Sequence, residues 1–274
     1  MSTWFITGCS TGIGRALAKA VLSHGFEAVV TARDVHTVAD LVAGYPDQAL
    51  AVPLDVMDHD QVLAAVQATI DRFGRLDVLV NNAGYGYRSA VEEAERDATD
   101  ELFATNFFGP LDLIQQFLPT MRAQGSGRIV NVSSTAGQVS SAGSGLYSAT
   151  KFALEGMSAG LKIEVEPHGI RVIIVQPGPF RTDFAGRSLK QPDVPIAAYA
   201  ETVGVRRKEK DTMHGTQAGD PEKAAEAIIT AVMSENPPFR FPLGNFAFDV
   251  IRTELETHLA ELAEWEYLGR PTDF

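Results

Sequence analysis

The chain has 274 residues, 45% of them hydrophobic and 21% charged, a balance typical of a soluble globular protein with enough length to bury a sizeable core in one domain. A formal charge of -12 and a pI near 4.9 argue against a nucleic-acid partner, whose phosphate backbone is usually met by a basic face, and favour a small molecule. The single cysteine, Cys9, excludes intramolecular disulfides and argues against a cysteine zinc site, and the six histidines show no metal-ligand spacing, so no metal is expected.

In chain order, short Val/Ile-rich runs alternate with longer amphipathic segments. The strand candidates are WFIT (4–7), EAVVTA (27–32), LAVPLDV (50–56), LDVLVNNA (76–83), GRIVNVSS (127–134) and GIRVIIVQPG (169–178). Their continuous apolar character fits a sheet covered on both faces. Helix candidates lie between them, among them RALAKAVLSHG (15–25), which closes on Gly25, and DQVLAAVQATIDRFG (60–74). The alternation predicts right-handed βαβ units in a doubly wound parallel sheet with helices on both faces, an α/β fold spanning 1–274 as one domain. No apolar run approaches the roughly 18 residues of a membrane helix. Met1-Ser2 leads into the first strand without a secretory signal, so a cytoplasmic location away from membranes is expected.

Residues 184–219 break the pattern with Gly, Pro and charge clusters (GRSLKQPDVP, GVRRKEKD). A polar excursion of this length reads as a functional lid or a disordered loop, and its RRKEK run (206–210) reads as a solvated, mobile lid. Helix character resumes at 220–235, and a C-terminal helical extension covers about 245–268. Its Leu255, Leu259, Leu262 and Trp265 form an apolar stripe at helical spacing, expected to pack on its own domain or on a partner subunit.

The first strand runs into TGCSTGIG (7–14), where Gly8, Gly12 and Gly14 follow a strand and open a helix. Such a turn permits close backbone approach of a pyrophosphate at a helix N-terminus. A tight turn with no ligand is the competing reading, since the spacing is G-x-x-x-G-x-G rather than G-x-G-x-x-G.

TGCSTGIG, NNAG (81–84), Asn106, Ser134 and YSATK (147–151) occur in the order and approximate spacing of the short-chain dehydrogenase/reductase family, which the chain resembles from residue 3 to about residue 184. The motif pattern, including NNAGYG and PGPFRTDF, is most similar to the branch with 17β-hydroxysteroid and retinol dehydrogenases. The resemblance implies a single-domain Rossmann fold and an NAD(P)-dependent oxidoreductase that interconverts a carbonyl and an alcohol. It also implies catalytic roles for Asn106, Ser134, Tyr147 and Lys151. Cofactor contacts are implied for Gly8, Ser10, Thr11, Gly12, Ile13 and Gly14 in the turn, for Asp55 and Val56 beside the adenine, and for Asn81, Ala83 and Gly84. They are implied likewise for Tyr147, Lys151, Pro177, Gly178 and Thr182 around the nicotinamide. A homodimer or homotetramer formed through the helices of Asn106 and Tyr147 is implied as well.

The chemistry accounts for these residue types. Hydride transfer to a carbonyl leaves negative charge on oxygen, which a positioned acid must protonate. Tyr147 is that acid; a free phenol titrates near 10, and Lys151, one helical turn on, is expected to bring it closer to neutrality. The Ser134 hydroxyl is expected to bond the substrate oxygen. At the end of the second strand Ala32 stands where NAD-selective members carry an acid, and Arg33 follows. This predicts preference for NADP(H), with NAD(H) possible, since Asp34 is able to pair with Arg33 or reach the ribose, and Arg15 is the nearest further cation. Leu146, Phe180, Phe184, Tyr199 and the Tyr85-Gly86-Tyr87 run are candidates for an apolar substrate pocket. A dinucleotide-binding regulator or redox sensor without turnover is the alternative function.

Overall fold

The computed structural model describes residues 1–274 apart from Arg187 and His214, and only the backbone of Ala185 and of residues 209–213. The strands are β1 (Thr3–Ile6), β2 (Glu27–Ala32), β3 (Ala49–Pro53), β4 (Val78–Asn81), β5 (Gly86–Tyr87), β6 (Gly127–Val132), β7 (Ile170–Pro177), β8 (Leu189–Lys190) and β9 (Arg240–Leu243). The helices are α1 (Gly12–Ser23), α2 (Ala39–Val42), α3 (His59–Phe73), α4 (Arg96–Phe103), α5 (Gly109–Gln124), α6 (Gly145–Val165), α7 (Val203–Met213), α8 (Pro221–Met233) and α9 (Asn245–Gly269).

Seven strands form one parallel sheet in the order β3-β2-β1-β4-β6-β7-β9. Alternate side chains feed two cores. Trp4, Ile6, Val30, Val80 and Val175 pack with α1 and α8 on one face, while Phe5, Val29, Leu79, Ile129 and Val172 pack with α3, α5 and α6 on the other. Burial on both faces explains the unbroken apolar runs, and each fully buried Phe or Leu contributes about 1.5–3 kcal/mol. The chain moves outward from β1 to β2 and β3, then returns through α3 to pair β4 with the other side of β1. The carboxyl ends of β1 and β4 therefore flank the switch point where open α/β sheets bind ligands.

Three features differ from the sequence reading. β9, RFPL, pairs with β7 at the sheet edge; it was not legible as a strand because Pro242 interrupts it, which an edge position tolerates. The excursion contains β8, which pairs with β5, and α7. Its Arg207 is not solvated but paired with buried Glu93, whereas the side chains of Glu209 and Lys210 lie outside the described residues. The apolar stripe of α9 does not pack on its own domain: Leu255, Leu259, Leu262 and Trp265 are all more than half exposed. No helix of the described residues is long and apolar enough to cross a membrane.

Candidate active site

The glycine turn lies at the switch point. Gly8 and Gly12 have φ of 70° and 62°, conformations that side chains strain to adopt. Gly14 answers a different need, since a Cβ there would stand 2.3 Å from Asn82 Nδ2 and 2.5 Å from the Gly8 carbonyl oxygen. Asn82 Nδ2 donates to the carbonyls of Thr7 at 2.8 Å and Gly8 at 3.2 Å, while the N–H groups of Asn82 and Ala83 donate to Thr7 Oγ1 at 2.9 Å. The end of β4 is thus fastened to the turn. Thr11, the N-cap of α1, makes no side-chain cap bond, and the first turn carries no acidic residue. That leaves N–H donors and the positive end of the helix dipole for an anion.

One cleft of about 1110 Å³ runs past this turn and is lined by Gly8, Ser10, Thr11, Gly12 and Ile13. Typical small-molecule sites occupy roughly 300–1,000 Å³, so the cleft has room for a dinucleotide with a small substrate. The side-chain-free turn and uncapped helix start fit the pyrophosphate of such a cofactor. Ala83, Gly84, Pro177, Gly178 and Thr182 also line the cleft, and a Cβ at Gly12 would meet Thr182 Cβ at 3.3 Å. Gly14 and Asn81 lie behind it. Asn81 is a correction: the strand places its side chain inside the sheet, where Nδ2 donates to Asn131 Oδ1 at 2.9 Å, and Asn82, the next residue, faces the turn. The two asparagines are adjacent in NNAG, and strand alternation decides between them.

Ser134, Tyr147 and Lys151 share the opposite wall. Ser134 follows β6, where its Oγ accepts from Ala136 N at 3.1 Å, and its side chain acts on the Tyr147 phenol in the sense that lowers its pKa. Tyr147 and Lys151 lie one turn apart on α6, with Nζ 5.9 Å from the phenol ring centroid and donating to the Val132 carbonyl at 2.9 Å. Burial pushes the phenol up to about 12, against the opposing pull of Ser134. Burial likewise drives the Lys151 ammonium down from 10.5 to about 8, which the Glu155 carboxylate partly counters. The sequence predicts that Lys151 lowers the phenol; in the structure burial dominates and raises it instead.

Asn106 occupies a π-helical turn, Ala104–Phe108, between α4 and α5, a distortion frequent at functional sites. It is fully buried and does not line the cleft. Its Nδ2 donates to the Tyr85 carbonyl at 2.9 Å and Thr150 Oγ1 at 3.2 Å, and its Oδ1 accepts from Tyr85 N at 3.1 Å. It therefore ties the segment after Gly84 to the residue preceding Lys151.

At the far end, Arg33, Asp55 and Val56 line the cleft. Asp34 does not pair with Arg33: its Oδ1 accepts from His36 N at 3.0 Å and caps the turn after β2. Arg15 is also committed, donating to the Thr37 carbonyl at 3.0 Å and pairing with Asp40 at 2.5 Å. On the substrate side Tyr85, Gly86, Tyr87, Phe180 and Phe184 line the cleft, and the Phe184 ring lies 5.7 Å from that of Tyr147. Leu146 and Tyr199 do not; the Tyr199 phenol donates to Glu92 at 2.5 Å instead. Among the described residues no cluster of three His, Cys, Asp or Glu side chains is placed to hold a metal.

Comparison with known proteins agrees with this geometry. The family model described as short chain dehydrogenase matches residues 2–193. Human 17-beta-hydroxysteroid dehydrogenase type 1 is 32% identical over 250 residues, covering 86% of this chain and 75% of its own. Among solved structures, a short-chain dehydrogenase from Streptomyces avermitilis is 44% identical with a TM-score of 0.93 over 100% of both chains. A metagenomic short-chain oxidoreductase in complex with NADP is 26% identical, with a TM-score of 0.70 over 88% of this chain and 96% of that one. With a family match over more than half its length and a glycine turn facing Ser134, Tyr147 and Lys151 across one cleft, this chain belongs to the short-chain dehydrogenase/reductase family of oxidoreductases.

Proposed function

We propose that the protein is an NADP(H)-preferring oxidoreductase that interconverts a carbonyl and a primary or secondary alcohol, with Tyr147 as general acid and base. The observation that carries the reading is the placement of Ser134, Tyr147 and Lys151 on one wall of a cleft whose other wall is a glycine turn under an uncapped helix N-terminus. When bound, the nicotinamide dinucleotide supplies the hydride that the carbonyl carbon accepts. Tyr147 delivers its phenolic proton to the carbonyl oxygen, and Ser134 bonds that oxygen and the phenol. Burial favours the protonated phenol, the form a reductase needs in the ground state. Lys151 places a positive charge beside the phenolate that remains after transfer. Asn106 keeps the segment after Gly84 against α6, and the aromatic side chains near Tyr147 favour a substrate with an apolar body.

The preference for NADP(H) is supported by Arg33 lining the far end of the cleft, where no salt bridge holds it to Asp34, whose Oδ1 accepts from His36 N. A second copy of the chain is the proposed partner in a homodimer or homotetramer. Phe152, Gly156, Gly160 and Ile163 form an exposed small-and-apolar face on α6, with open space above both glycines. A cytoplasmic location is part of the same proposal. The test is parallel titration with NADPH and NADH, then a panel of ketones, aldehydes, steroids and secondary alcohols followed at the nicotinamide absorbance. Tight NADPH binding with turnover of a panel member supports the reading, and failure to bind either dinucleotide overturns it.

A further inference from the structure

Glu155 lies on α6 one turn beyond Lys151 and two beyond Tyr147; it is 3% exposed and does not line the cleft. Its carboxylate joins four segments. Oε1 accepts from Ser133 Oγ and from Gln176 Nε2, both at 2.9 Å, and Oε2 accepts from Gln138 Nε2 and, at 3.2 Å, from Arg240 Nε. Each donor adjoins the cleft or the sheet that carries it. Ser133 precedes Ser134, Gln176 precedes Pro177-Gly178, Gln138 closes the turn at 135–137, and Arg240 lies on β9 beside β7. A Cβ at Gly137 would stand 2.4 Å from Ser133 Oγ and 2.6 Å from Glu155 Oε1, so the backbone of that turn is drawn directly against the carboxylate.

A buried carboxylate persists only where its charge and lone pairs are met. Two neutral amides, one hydroxyl and one guanidinium supply that here, and of the four donors Ser133 lines the cleft. We propose that Glu155 is a positioning residue for the Ser134–Tyr147–Lys151 group: it fixes the floor under Ser134 and sets the electrostatic field at the Lys151 ammonium. The proposal rests on the catalytic reading of those three residues given above. Among the described residues, the ionisable groups facing this pair are Tyr147 from α6 and Arg240 from β9. The end of β6, the 135–138 turn and β7 offer only the neutral Ser133, Gln138 and Gln176, and the π-helical turn offers Asn106.

A purely structural Glu155 and a field-setting Glu155 differ in a sign. Lys151 is held near 8 in the folded chain against 10.5 for a free side chain, so the unfolded chain binds the extra proton. The cost of its buried charge is complete below about pH 8 and is relieved as pH rises from there towards the free value. Removing the Glu155 carboxylate makes the ammonium less favourable, and removing Arg240 makes it more favourable. The test is urea unfolding of the protein without cofactor between about pH 6.5 and 9.5, for the wild type, Glu155→Gln and Arg240→Gln, with Lys151→Met as the control that erases the rise. The onset of the rise is expected to move down by about half a pH unit or more in Glu155→Gln and up in Arg240→Gln. Onsets that stay in place, or move in the same direction, overturn the proposal. Arg240 is half exposed, so its variant decides the matter even where Glu155→Gln does not fold; an unmoved onset there overturns the proposal alone. In the loaded enzyme, Glu155→Gln is expected to lower kcat about tenfold with NADPH affinity nearly unchanged. Turnover retained in Tyr147→Phe removes the catalytic reading instead, and leaves the stability profiles as a separate result.

Discussion

Asn82 Nδ2 stands 2.8 Å from the carbonyl oxygen of Thr7, and this bond joins the end of one central strand to the turn that follows its neighbour. The two central strands thereby present a single rigid edge to the cleft. Asn82→Ala removes the donor from two carbonyls and leaves a gap beside Gly14. Stability is expected to fall by about 1–2 kcal/mol in urea unfolding, and NADPH affinity by about tenfold in a fluorescence titration. A variant with reduced stability but unaltered affinity would detach Asn82 from the cofactor side of the cleft.

Most of the sheet was legible because β1, β2, β4, β6 and β7 are buried on both faces and so carry unbroken apolar runs. β9 was not, because an edge strand tolerates Pro242 and needs apolar contact on less of its surface. Residues tied to a motif were found where the motif sits, as with Ser134, Tyr147 and Lys151. What the sequence left ambiguous was direction. NNAG offers two asparagines, and only pairing of Asn81 with Asn131 in the sheet sends one inward and leaves the other at the turn. Asp34 and Arg15 likewise read as ligands for the ribose end until their partners, His36 N and Asp40, are seen. Glu155 carries no local signal at all: its four partners are 17 to 85 residues away on other segments, and only the fold assembles them.

Tyr147→Phe keeps the ring against Phe184 and removes only the hydroxyl. Turnover is expected to fall by at least about a thousandfold, in line with loss of a positioned acid together with its bond to the developing oxyanion. NADPH affinity should stay within about twofold, because binding rests mainly on the turn. Single-turnover kinetics with saturating NADPH separates the two quantities, and comparable rates in variant and wild type would exclude the phenol as the proton donor.

The pH dependence follows from the two shifted groups. Tyr147, raised to about 12, remains protonated across the neutral range, whereas Lys151, lowered to about 8, loses its charge as pH rises through that value. Carbonyl reduction is therefore expected to hold a plateau below about pH 7.5 and to decline above about pH 8 as the ammonium beside the phenol is lost. A kcat profile that stays flat to pH 9.5 would show that the rate does not depend on the charge of Lys151.

Arg33 is the cation at the far end of the cleft, and Asp34, which lines the cleft beside it, accepts from His36 N through Oδ1. Arg33→Ala is expected to weaken NADPH by about tenfold or more, the worth of one charge-assisted phosphate contact, and NADH by less than about twofold. The ratio of the two dissociation constants is the decisive quantity. Equal losses for both cofactors would assign Arg33 to general packing of the adenine end.

One buried carboxylate, beside the Tyr199–Glu92 bond, ties residues 196–207 to the body of the protein. Glu93 is 7% exposed; it accepts from Ala90 N at 2.7 Å and Ile196 N at 2.8 Å and pairs with Arg207. Burial alone would raise its carboxyl, but Arg207 and the two N–H groups outweigh burial and hold it below the ordinary range. Its stabilising effect is therefore present above the free carboxyl value and is lost as pH falls through the lower folded value. Val203, nearly buried, closes against Gly143, where an added Cβ would meet its Cγ1 at 3.0 Å. Glu93→Ala breaks this clamp and leaves Arg207 without its partner, a loss of about 3 kcal/mol for a buried pair. Cleavage within 193–207 by a trace of protease should then accelerate, and KM for the carbonyl substrate should rise several-fold. Cofactor affinity should stay unchanged, since the glycine turn lies on the other side of the cleft. If KM and proteolysis are both unaltered, the clamp does not hold the substrate wall.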